Sequence, residues 1–137
     1  MITKEFEKSI LGDIFQGTSL VPSTLYIGLC SNETIYQDMP LSEIVEVTGT
    51  GYSRQALLRG NADWSNPSEQ SDSYSIESAI KTFTASGSDW TPFSRMFLTD
   101  AASGTTGSLF AVSTALPSPV TLADGTSFPT TFKLFLK

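Results

Sequence analysis

Chemistry in a protein needs groups that move protons, attack, or hold metals, and this chain carries few of them. Histidine is absent. That removes histidine-based triads, the usual neutral-pH base and most zinc sites. Cys30 is the only cysteine. It falls in the middle of an expected strand, "PSTLYIGLC", where a buried, inert thiol is expected rather than a nucleophile. Glu43/Glu46, Asp72/Glu77 and Asp89/Asp100 are the carboxylate pairs that a glycoside hydrolase would need. All sit among serines and turn residues, with no sign of a desolvated member. Loop Asp and Asn oxygens leave a calcium site open, but no EF-hand-like spacing is present.

The most unusual stretch is "EVTGTGYSRQAL", Glu46 to Leu57. Its glycines suggest a phosphate cradle. It lacks the Lys-Ser/Thr of a P-loop, and a strand follows where a phosphate site needs a helix N-terminus. The structural reading is a turn or bulge in which Gly49 and Gly51 supply positive φ. Tyr52 then packs its ring, and Arg54 pairs with an acid or with carbonyls. "DGTS" has no base partner and reads as a hairpin turn. No catalytic residue, cofactor or metal ligand is assigned, and the chain is expected not to be an enzyme.

The elements that must position these residues are mostly strands. The chain has 137 residues, 39% of them hydrophobic and 16% charged. Ser and Thr together fill 37 positions, the profile of a β-rich protein with polar, uncharged turns. Thr3 to Gln16 reads as an amphipathic helix capped by Thr3, with Glu5 and Glu7 favouring its dipole. Phe6, Ile10, Leu11, Ile14 and Phe15 form its apolar stripe, expected to pack on the sheet of its own domain or to dock on a neighbouring subunit. Gly17 ends it.

Strands are expected over 22–30, 52–58, 79–84, 93–99 and 109–114. Residues 31–50 and 59–78 read as polar connections, with Trp64 anchoring the second. Trp90 lies in the turn "GSDWTP". Asp124-Gly125 signals a closing hairpin, and Pro129 an edge position or a strand start. Strands do not alternate with helices. The expectation is therefore one domain over 1–137: a helix over 1–17, then an antiparallel β-sandwich of six to seven or more strands over 22–137.

Net charge is −6 and the isoelectric point about 4.4. Nucleic acid is disfavoured as a partner, because affinity there comes largely from Lys and Arg on phosphates. An anionic membrane surface is disfavoured for the same reason. No apolar run approaches the roughly 18 residues of a spanning helix. The start carries Glu5, Glu7 and Asp13 and does not read as a signal peptide, so synthesis and folding in a cytosol are expected.

Five landmarks occur in order: "ILGDIFQGTS", "VPSTLYIGLCSNE", "EVTGTGYSRQAL", "IKTFTASGSDWTPFSRMFLTDAASGTTGSLF" and "PVTLADGTSFPTTFKLFLK". In this order they resemble a family of small bacteriophage virion proteins, tail-fibre-associated or structural, over about residues 8–136. The sequence departs from the family pattern at "GTTGSLF", at Pro129-Thr130 and over 59–78. The resemblance implies a non-enzymatic β-sandwich building block of the virion, in the tail, fibre or baseplate. It is expected to be homo-oligomeric and to have other virion proteins as partners. Two alternatives accompany it: a capsid decoration protein, and a glycan-binding receptor module using Trp64, Tyr74 and Trp90. Phe6, Ile10, Ile14, Gly51, Tyr52, Arg54 and Trp90 are the candidate structural and assembly residues.

Overall fold

A computed structural model describes residues 1–18 and 21–136. The chain opens with α1 (Lys4–Leu11), followed by a π-helical turn over Gly12–Gln16. Among the described residues nine strands follow: β1 (Thr24–Cys30), β2 (Gln55–Leu58), β3 (Ser68–Glu69), β4 (Tyr74–Glu77), β5 (Lys81–Thr84), β6 (Arg95–Thr99), β7 (Leu109–Val112), β8 (Ser127–Thr130) and β9 (Lys133–Leu136). All ladders among them are antiparallel. They form a four-stranded sheet β2-β1-β6-β7, a three-stranded sheet β3-β4-β9 and a two-stranded ladder β5-β8. The expected mostly β, antiparallel architecture with one N-terminal helix is the one observed.

β1 lies between β2 and β6, and its alternation explains why both of its faces are apolar. Leu25, Ile27 and Leu29 enter the larger core with Leu57, Leu98, Phe83, Phe93 and Phe132. Cys30 enters a second core with Phe97, Leu109 and Val112, closed by Met39 and Leu41 from the 31–50 connection. The large sheet is thus covered on one face by the smaller sheets and on the other by that connection. Opposite Phe97 on the ladder, Gly28 leaves room for its ring. A Cβ at Gly28 would stand 2.3 Å from Phe97 Cζ and 3.0 Å from the Tyr52 hydroxyl. Gly28→Ala is therefore expected to cost about 1–3 kcal/mol by overpacking, read as a lower denaturation midpoint at unchanged slope.

The N-terminus joins the large sheet. Ile2 bridges Ala111, and Thr3 N donates to Phe110 O at 2.9 Å. Thr3 does double duty. Its hydroxyl donates to Leu109 O at 2.5 Å and accepts from Phe6 N at 3.3 Å, the expected N-cap. β7 is bulged against β6 between Leu98 and Thr99, leaving Phe110 without an opposite residue. Phe110 joins the larger core and packs on Phe6, the ring centroids 4.8 Å apart and the planes tilted by 32°.

Four expectations need correction. The helix is regular only to Leu11, because the π turn adds a residue to the rotation before Gly17 (φ 69) stops it. The expected stripe therefore splits: Phe6 is buried, Ile10 half-buried, and Leu11, Ile14 and Phe15 face out. Residues 59–78 are not all loop, since β3 and β4 lie within them. Their period-2 signal is faint because the ladder is exposed on most positions. Finally, Asp124-Gly125 does make a tight turn, with Thr126 N donating to Ala123 O at 3.0 Å. Yet β8 does not fold back on the preceding segment; it pairs with β5, while Val120 bridges Phe93.

Candidate functional site

The 46–54 stretch is built against the upper half of β1. β2 pairs only with Thr24–Ile27, so the edge beyond Ile27 needs other partners. Val47 N donates to Leu29 O at 3.0 Å, and Leu29 N donates to the Tyr52 hydroxyl at 3.0 Å. Cys30 bridges Glu46. These contacts bring Glu46, Tyr52 and Arg54 to one point.

There Arg54 forks onto Glu46, Nε to Oε1 at 2.9 Å and Nη2 to Oε2 at 2.8 Å. Its Nη1 donates to Ala101 O at 2.8 Å and its Nη2 to Gly104 O at 2.7 Å. The guanidinium also sits 5.2 Å from the Phe97 ring centroid. The Arg54 side chain is only 3% exposed. Tyr52 donates its hydroxyl hydrogen to Glu46 Oε1 at 2.7 Å. Burial first, then that hydrogen bond, pushes the Tyr52 phenol well above its ordinary range. Arg54 thus does both things expected of it, pairing with an acid and with carbonyls, and it does so inside its own chain.

Trp90 completes the cluster. Its ring meets Tyr52 edge-on at 5.3 Å, and its Nε1 donates to Thr50 O at 2.8 Å. A Cβ at Gly49 would stand 2.2 Å from Trp90 Cδ1, so the glycine is required by close approach as well as by φ. Gly51 (φ 84) is the turn residue beside Ser86. Trp90 is buried and cannot stack on a sugar. Of the three aromatics named for that role, Tyr74 is exposed and Trp64 half-buried.

Members of the carboxylate pairs hold local hydrogen bonds. Glu43 accepts from the Tyr36 hydroxyl at 2.6 Å. Asp89 accepts from Asp124 N, and Asp100 from Ser108 N. Among the described residues no three His, Cys, Asp or Glu side chains converge on a possible metal position, and no helix is long and apolar enough to cross a membrane. Composition had not signalled the β1-edge role of Glu46. A lone acid eight residues before a lone Arg is too weak a pattern to find it.

Cys30 is fully buried, and burial pushes its thiol from 9.0 to about 11. In the folded chain the thiol keeps its proton to about pH 11, whereas the unfolded thiol releases it two units sooner. Stability is expected to fall between pH 9 and 11, by up to ~1.4 kcal/mol per unit, with Tyr52 adding the same sign above its ordinary range. Denaturant midpoints at rising pH check this. In the native state at pH 8 the thiol should resist a disulfide reagent and react only on unfolding.

Fold and cluster together define the class: a small antiparallel β protein whose polar network serves its own packing. A comparison with protein families then matches residues 1–133 to the family described as podophage GP4 fiber I protein gp80, and the chain belongs to that family. It is accordingly a structural protein of a phage fibre and a component of the virion. No curated protein matches it.

Proposed function

We propose that this chain is a non-enzymatic fibre building block, one folding unit assembled in several copies through the apolar end of its N-terminal helix. One observation carries the reading. Just past the buried Phe6, the residues Leu11, Ile14 and Phe15 are 58%, 66% and 78% exposed. Scattered surface apolar residues are ordinary, but a cluster at one helix end marks a contact surface. The helix base is held by the Thr3 cap and the Phe6–Phe110 contact, so its tip is presented on a fixed stem. Ile10, half-buried, continues that stem. Gly51, Tyr52, Arg54 and Trp90 serve inside the subunit, shaping the 46–54 turn and the sheet edge beneath it.

Deleting residues 1–16 tests this poorly, because Thr3 and Phe6 leave with the tip and the fold suffers. The cleaner variant is Ile14→Asp with Phe15→Asp. It is expected to keep the wild-type melting temperature while losing self-association by light scattering and falling several-fold in particle occupancy. Normal mass and normal occupancy in that variant would refute the helix-tip contact. A protein that is monomeric even as wild type would refute the homo-oligomer.

A further inference from the structure

The connection between β2 and β3 borders an open groove of about 340 Å³, within the range of small-ligand sites. Its floor is apolar, from Phe6 of α1, Leu25 of β1 and Leu134 of β9. Its rim is polar: Arg59, Asn61, Trp64 and Asn66. No acidic residue lines it, although the chain has 14 acids against 8 bases.

The rim has unused hydrogen-bonding capacity. Arg59 spends one N–H on Val21 O at 2.9 Å. Among the described residues it has no carboxylate partner. The side-chain amides of Asn61 and Asn66 and the indole N–H of Trp64 likewise have no partner there. The segment that carries them is nonetheless held in place. Arg59 N donates to Ser23 O at 2.9 Å, Trp64 N to Gly60 O at 3.1 Å, and Ser65 N to Glu77 O at 2.8 Å. Leu58 N is capped by Asp63 Oδ2 at 2.7 Å. The backbone's ordering cost on binding is thus largely met beforehand, while the exposed side chains of Arg59, Asn61 and Asn66 are ordered on binding.

We infer that this groove binds an acidic saccharide, one that carries a carboxylated sugar ring. The uncompensated Arg59 supplies a fork for the carboxylate. Amides both donate and accept, which matches ring hydroxyls, and the floor takes the apolar face of the ring. The reading is independent of the helix-tip contact.

The test titrates the full-length protein calorimetrically with three carboxylated trisaccharides (galacturonic, glucuronic and sialyl-terminated). Neutral galactotriose and a tri-glutamate peptide are the controls. At least one acidic saccharide is expected to bind saturably, with galactotriose weaker. Arg59→Gln should weaken that binding at least about tenfold at an unchanged melting temperature. If Arg59→Gln does not fold, Asn61→Ala with Asn66→Ala carries the test and should weaken binding several-fold. The inference is overturned if no acidic saccharide binds, or if the folded variant binds as wild type does. It is equally overturned if tri-glutamate matches the best saccharide, since the site is then one for acidic peptides.

Discussion

Arg54→Ala is expected to cost about 3 kcal/mol, the lower end of the range for removing one member of a buried ion pair, because Arg54 is buried while the Glu46 side chain keeps 26% exposure. Against a total stability of roughly 5–15 kcal/mol for a domain, that brings the chain near unfolding at physiological temperature. Four hydrogen bonds disappear together, two to Glu46 and one each to Ala101 and Gly104. Glu46 keeps its Tyr52 contact but loses its counter-charge. Arg54→Lys should recover little, because an ammonium cannot reproduce the fork and the two carbonyl contacts at once. Replacing Arg54 by Met together with Glu46 by Leu removes the stranded charge, and should recover part of the loss. It cannot recover all of it, since the Ala101 and Gly104 carbonyls then lack a donor. Guanidinium titrations of the wild type and these three variants give the numbers. A loss below about 1 kcal/mol for Arg54→Ala would place this pair with ordinary surface bridges and undo its assigned role.

The second large effect lies beside it. Trp90→Ala should cost about 3–5 kcal/mol, because a buried ring leaves a cavity the cluster cannot close. Tyr52 loses its edge-on neighbour, and Thr50 O loses its Nε1 donor at 2.8 Å. Trp90→Phe separates the two contributions. It keeps most of the ring and drops the hydrogen bond, for about 1–3 kcal/mol. Gly49 offers an independent check from the opposite side. A methyl there meets Trp90 at 2.2 Å, so Gly49→Ala should destabilise wild type yet cost less on a Trp90→Ala background. That non-additivity is the signature of a shared contact. Denaturant titrations followed by circular dichroism, each variant fitted with its own folded and unfolded baselines, measure it.

How far the sequence carries can be judged on particular residues. The Thr3 cap, the Gly17 stop and the two-faced β1 follow from local rules. A hydroxyl before a helix satisfies an orphan N–H, a glycine adopts positive φ freely, and apolar residues at both parities need cover on both faces. That Arg54 pairs with an acid or with carbonyls was legible as a kind of contact, because a guanidinium following a tight turn in an acidic chain has acceptors of both kinds at hand. Its partner was not legible: Ala101 and Gly104 lie 47 and 50 residues on. Trp90 has the same history: a core or loop-anchoring role was the expectation for a tryptophan in "GSDWTP", but its neighbours Gly49 and Tyr52 were not legible.

By itself, then, the sequence determined the β-rich class, the capped helix and the short list of residues that had to be packed or paired. These are local matters, decided by propensity, periodicity and the absence of histidine. Tertiary structure alone decided which strand meets which. β8 turns to β5 rather than closing a hairpin, and residues 1–3 join β7. The stripe of α1 divides between core and surface where the π turn rotates it. In the first two cases the deciding contact joins segments far apart in the chain, so no local pattern records it; in the third, the extra residue of the π turn shifts the face. The groove beside Arg59 shows this most plainly. Its floor comes from residues 6, 25 and 134, and only the folded chain puts them under one rim.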